Sequence, residues 1–221
     1  MKMNSEMDKL KAALFDLDGV VFDTEPQYTE FWGAQCREFH PEIPNLESVI
    51  KGQTLIQIYD KYFNGELQPK QAVITERLNE FEKQMAFEYI AGFEDFIKDL
   101  KDHNIRTAVV TSSNVPKMNS VYSKHPEFRR LFDTILTSED FKNSKPDPDC
   151  YLTAARRFGV LPEECVVFED SFNGLKSGRA AGMAIVGLAT TNSPEDIQPY
   201  SDIVITDYKG LSIEKCNNLL S

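Results

Sequence analysis

The chain has 221 residues, 41% hydrophobic and 27% charged, a globular composition that excludes a disordered tail, a collagen and a coiled coil. With 35 acidic against 24 basic residues the formal charge is −11, and Lys and Arg form no long run, so neither nucleic acid nor an anionic membrane is an expected partner. Cys36, Cys150, Cys165 and Cys216 form no CxxC pair and read as reduced thiols, and MKMNSEMDKLK lacks an apolar signal segment, so a cytoplasmic protein is expected; the acidic surface is compatible with a monomer, the expected state.

In chain order, short apolar runs rich in Val, Ile and Phe predict strands at Ala12–Phe15, Thr107–Val110, Thr134–Leu136, Cys165–Phe168, Ala184–Leu188 and Asp202–Ile205. Between the first two, no strand pattern occurs over residues 25–90. Tyr28–Phe39, Thr54–Tyr62 and Pro69–Tyr89 have helical character, broken at Pro41, Pro44, Gly52 and Asn64-Gly65. So long a block cannot be a loop inside a compact domain. It predicts an inserted all-α cap (25–90) on a core made of 1–24 and 91–221. In that core, helical periodicity at Phe93, Phe96, Ile97 and Leu100 ends at Asn104, and that at Tyr151, Leu152, Ala155 and Phe158 ends at Gly159. Strands alternating with helices predict an α/β fold, a Rossmann-like parallel sheet flanked by helices.

Ligands of such open sheets lie beyond the carboxyl ends of the strands, and four strand ends carry pointed chemistry. The first runs into Asp16-Leu17-Asp18-Gly19. Carboxylates at i and i+2 of an extended chain share a side, although such clusters also make turns. A calcium loop would need a Glu near Tyr28 and lacks it. The second ends in Thr111-Ser112-Ser113-Asn114, hydroxyls and amides that suit either an anion or a helix cap. Lys145-Pro146 follows the third strand, and Glu169-Asp170-Ser171-x-x-Gly174 the fourth. Together they supply what one reaction centre needs: a carboxylate nucleophile, an anion cradle, a cation and a metal site.

Phe15-Asp16-Leu17-Asp18-Gly19-Val20-Val21-Phe22-Asp23-Thr24, Lys145-Pro146-x-Pro148 and Phe168-Glu169-Asp170-Ser171-x-x-Gly174 resemble the haloacid dehalogenase superfamily over nearly the whole chain. The branch resembled carries a helical cap after the first motif and includes beta-phosphoglucomutase and sugar-phosphate phosphatases. The resemblance implies Asp16 as the phosphoryl-accepting nucleophile and Asp18 as general acid/base. Thr111, Ser112 and Asn114 would cradle the phosphoryl oxygens, and Lys145 would tether Asp16. Mg²⁺ would be held by Asp16, the Asp18 carbonyl, Asp170 and Glu169. The substrate would be a small phosphorylated metabolite, chosen by cap contacts at Glu25, Tyr28, Lys51 and Gly52.

Phosphatase and mutase share this machinery and differ in whether water or a sugar hydroxyl receives the phosphoryl group. The mutase pattern has a histidine, an arginine and a lysine where this chain has Tyr28, Leu55 and Asn114, so the grip on a second phosphate is expected to be weaker and a phosphatase is favoured. Asp18 argues against a dehalogenase, a phosphonatase would need a reactive cap lysine such as Lys51, and a non-catalytic phosphate-binding module would have lost one of the acids. His40, His103 and His125 lie outside the motifs and are expected at the surface.

Overall fold

The computed structural model describes residues 9–51 and 53–220. The reading of the amino-terminal segment, residues 1–8, and the Gly52 assignment lie outside the described residues. Six parallel strands run β1 (Ala12–Phe15), β2 (Arg106–Val110), β3 (Thr134–Leu136), β4 (Cys165–Glu169), β5 (Ala184–Leu188) and β6 (Ile203–Ile205), in the spatial order β3-β2-β1-β4-β5-β6. The central strand is paired on both sides, Ala12 opposite Arg106 and Cys165, and all four of its side chains are buried. This is why its sequence is continuously apolar rather than alternating.

Alternate residues of β1 belong to two apolar layers. Ala13 and Phe15 pack with helices α5 (Phe93–Asp102), α6 (Val115–Lys124), α7 (Phe128–Leu131) and α11 (Ile213–Asn217). Ala12 and Leu14 face α8 (Asp149–Phe158), α9 (Phe172–Ala180) and α10 (Pro194–Ile197). Phe15 stacks on Phe168 with ring centroids 4.4 Å apart, which ties β1 to β4 directly beneath the strand ends. The helix stops fall where the sequence places them. Asn104 (φ 57°) follows α5 and Gly159 (φ 68°) follows α8, both left-handed residues that let the chain turn into the next strand.

The inserted block comprises α1 (Glu25–Phe39), α2 (Leu46–Val49), α3 (Leu55–Tyr62) and α4 (Gln71–Gln84), packed around Phe31, Trp32, Phe63, Ile74 and Leu78. The last helix stops before the expected Tyr89. Beyond Met85 the chain is extended, because Ile90 N–H donates to Val21 O and Asp23 N–H to Glu88 O, placing the entering and leaving segments side by side. Burying Phe87 and Ile90 in the core outweighs another helical turn. His40 and His125 are partly buried rather than superficial, their Nε2 atoms paired with the carbonyls of Tyr62 and Phe87. The four cysteines are free and buried. Among the described residues no helix is long and apolar enough to cross a membrane.

Candidate active site

With this strand order, the chain leaves β1 toward β2 on one side and returns through β4 on the other. The crevice above the β1 and β4 carboxyl ends is therefore the switch point where a ligand fits. A cavity of about 480 Å³ opens there, within the usual range for small-molecule sites. Asp16, Asp18, Thr111, Ser112, Asn114, Lys145, Asp170, Glu25, Tyr28 and Lys51 all line it, so residues from five chain segments meet in one place.

Lys145, only 4% exposed, is the cation of the cavity floor. Its Nζ lies 2.6 Å from Asp16 Oδ1, 2.6 Å from Glu169 Oε1 and 3.0 Å from Val110 O. Burial alone would depress its pKa, but Asp16 and Glu169 outweigh burial and hold it well above the ordinary lysine value. The other Asp16 oxygen accepts the Asp18 N–H at 3.1 Å. Asp16 is pushed up to about 7, by burial first and then by Glu169 and Asp18, with Lys145 opposing. Asp170 rises well above the carboxylate range through burial, Glu169, Glu25 and Asp16. Two desolvated carboxylates that resist ionisation, both hard oxygen donors, fit a divalent cation.

Glu169 corrects the expected metal set. Its Oε1 accepts from Lys145 and, at 2.9 Å, from Tyr151 OH, while Oε2 accepts from the Asp170 and Ser171 amides and the Ser171 hydroxyl at 3.0–3.1 Å. The carboxylate lies under Gly174, where an added Cβ would come within 1.7 Å of Oε1, so it points away from the cavity and clamps Lys145 instead. No group of three or more His, Cys, Asp or Glu side chains among the described residues is placed to hold a metal. What remains is Asp16, Asp170 and the Asp18 backbone.

Asn114 lines the cavity and caps α6: its Oδ1 accepts the Lys117 amide at 3.0 Å, which leaves Nδ2 as the group that could donate to an anion. Thr111 Oγ1 accepts the Ser113 amide at 3.0 Å and fixes the turn that Ser112 shares. Asp18 Oδ1 accepts from Thr24 Oγ1 at 2.6 Å and Oδ2 from Ser113 Oγ at 3.3 Å.

Sequence reasoning missed two contributors. Lys117 forms an ion pair with Asp18 Oδ2, and its Nζ sits 4.6 Å from the Tyr28 ring centroid. The cavity is thus less poor in cations than Tyr28, Leu55 and Asn114 imply. The loop after β5 supplies Thr191, whose hydroxyl donates to Asp170 Oδ2, and Asn192, whose Nδ2 donates to Asp170 O at 2.9 Å. Thr190-Thr191-Asn192 is as polar as the other strand ends, and inspecting that end too would have found it. Lys117, three residues beyond a cap, carried no comparable signal.

Such a parallel sheet, with a lysine-tethered aspartate at its switch point, defines a class of α/β hydrolytic site. The profile of the haloacid dehalogenase-like hydrolases matches residues 13–188. The chain therefore belongs to that family, and within it is a phosphatase-type enzyme. Hexitol phosphatase A of Escherichia coli (strain K12) is 28% identical over 95% of this chain and 97% of its own length. A bifunctional riboflavin kinase/FMN phosphatase of Arabidopsis thaliana is 26% identical over 97% of this chain, which spans only 58% of that longer relative. The crystal structure of beta-phosphoglucomutase from Clostridium difficile shares the fold, with a TM-score of 0.78 at 22% identity over 96% of this chain and 97% of that one.

Proposed function

We propose that this protein is a Mg²⁺-dependent phosphomonoesterase of small phosphorylated metabolites, sugar phosphates foremost, acting through an aspartyl-phosphate on Asp16. The observation that carries this reading is the floor of the cavity. Asp16 is held by Lys145 on one oxygen and by the Asp18 amide on the other, at the switch point of the sheet. A carboxylate and a phosphate charge about 4 Å apart repel by about 4 kcal/mol at an effective dielectric of 20. Lys145 offsets part of this. Asp16, Asp170 and the Asp18 carbonyl would hold Mg²⁺, which supplies the remaining positive charge when bound.

In the first half-reaction an Asp16 oxygen attacks phosphorus, the bond to the leaving oxygen breaks, and that oxygen takes a proton from Asp18. In the second, water attacks phosphorus, gives its proton to Asp18 and releases Asp16. Thr111 and Ser112 line the cavity where the phosphoryl oxygens would lie. Residues 25–90 would act as a cap over the core formed by 1–24 and 91–221, excluding bulk water. Support for that division is the block's own apolar core and the Gln57 Nε2 bond to Lys145 O at 3.3 Å, which crosses the cavity edge. Glu25, Tyr28 and Lys51 would contact substrate from the cap side. The buried free cysteines support placing this chemistry in the cytoplasm.

The test is phosphate release from sugar phosphates, nucleotides, small organic phosphates and pyrophosphate, with Mg²⁺ and with EDTA. Metal-dependent release that Asp16→Asn lacks is expected. The mutase reading is favoured by Lys51, Lys117 and Lys142 lining the cavity beside Lys145, although Lys117 is already paired with Asp18. Conversion of beta-glucose 1-phosphate in the presence of bisphosphate, with no hydrolysis, would replace the phosphatase by the mutase.

A further inference from the structure

Lys117 is 4% exposed, a burial that lysine tolerates only when paired. It enters the cavity from the first turn of α6, where Asn114 caps its backbone amide. Three carboxylates surround it: Asp18 in direct contact, and Glu25 and Glu82 within electrostatic reach. The Tyr28 ring of the inserted block covers its ammonium, and Tyr28 OH donates to Glu82 Oε1 at 2.8 Å. Asp18 is thereby gripped from three elements. Thr24, at the junction of core and inserted block, holds Oδ1, while Lys117 and Ser113 hold Oδ2. Without Lys117, Oδ2 keeps only the Ser113 contact at 3.3 Å, and little resists rotation of the carboxylate.

We propose that Lys117 is a positioning residue for the second half-reaction: it fixes the Asp18 carboxylate in the orientation that takes the proton of the attacking water. This rests on the reading of Asp18 as the acid/base. Losing the grip on Oδ2 misplaces the carboxylate, and with an activated ester only hydrolysis of the aspartyl-phosphate needs that carboxylate as a base. The first step with an activated ester is insensitive to the device, because nitrophenolate leaves without needing a proton. No bond is made or broken at Lys117.

The experiment is rapid-mixing kinetics with p-nitrophenyl phosphate and Mg²⁺, comparing wild type with Lys117→Met. Steady-state turnover is expected to fall roughly 100-fold, within the usual range for a general acid/base. Release of the first nitrophenolate should stay within about threefold, so that a burst deepens, acid-trapped phosphoenzyme accumulates and KM falls with kcat. Lys117→Arg, which keeps a charge able to stack on Tyr28, should recover most of the turnover. Equal slowing of both phases would make Lys117 merely structural. A raised KM with unchanged kcat would make it a substrate anchor, and unchanged kinetics would remove it from the reaction; each result overturns the proposal. Lys117→Gln replaces the Met variant if that does not fold, with the same expectations. Failure of the underlying reading looks different: the wild type itself would turn over nothing, or Asp16→Asn would keep its activity.

Discussion

Asp16→Asn, the substitution that should abolish turnover, should also stabilise the metal-free protein. The Asp16 carboxyl is 14% exposed, and burial with Glu169 and Asp18 nearby lifts it from 3.8 to about 7 despite Lys145. Because the folded value lies above the unfolded one, the native state binds the proton more tightly. Stability present below about pH 4 is therefore lost as pH rises to about 7. A rise of about three units, at 1.36 kcal/mol each, is a loss of about 4 kcal/mol by pH 8. Asn still accepts from Lys145 through Oδ1 and does not incur this loss, but its Nδ2 cannot accept the Asp18 N–H, which costs about 1 kcal/mol. With about 3 kcal/mol left, at about 2–4 °C per kcal/mol for a chain of this size, the variant should melt about 6–12 °C above wild type at pH 8 in EDTA. The gap should close toward pH 4, and Mg²⁺ should raise the wild-type midpoint more than the variant's. Thermal unfolding followed by circular dichroism reads all three. A variant that melts lower at pH 8, or a gap that does not change with pH, would refute the electrostatic account of the site.

If Glu169 clamps Lys145 rather than holding the metal, calorimetric Mg²⁺ titration should give Glu169→Gln an affinity within a few-fold of wild type. Asp170→Asn should weaken it roughly 100-fold, a loss of the size expected when a metal site loses essential support. Gly174→Ala would put a Cβ 1.7 Å from Glu169 Oε1, and displacing that buried clamp should cost about 3–5 kcal/mol, read by denaturant unfolding. Asn114→Ala removes a helix cap and should lower stability by about 1 kcal/mol, and loss of the Nδ2 donor should raise KM for phosphoesters. An unchanged KM would leave Asn114 a helix cap alone.

Much of this protein is legible in its residue order. Strands buried on both faces must be short and continuously apolar, so Ala12–Phe15 and Cys165–Phe168 stand out from the helical segments between them. Ligands gather at strand ends, so Asp16, Thr111, Lys145 and Asp170 could be singled out before any contact between them was known. Helix stops such as Asn104 and Gly159 are local consequences of backbone preference.

Direction and partnership are not local. Glu169 and Asp170 are adjacent acids of equal promise, yet opposite sides of the chain face opposite environments. The missing side chain of Gly174 opens a pocket for one of them beneath the floor, next to Lys145 and Tyr151. Helix α4 ends at Gln84, short of the Tyr89 its sequence pattern predicts, because only the folded core offers Phe87 and Ile90 a place to be buried. Lys117 lies 99 residues from Asp18, and a lysine in the first turn of a helix reads as solvated until Tyr28 of the inserted block covers it. The sequence by itself determined the sheet and the set of reactive groups, because both follow from periodicity and from what a strand end can present. Which carboxylate faces a metal, which faces a lysine, and which lysine faces the acid/base were decided only in the tertiary structure, where burial forces each charge to find its partner.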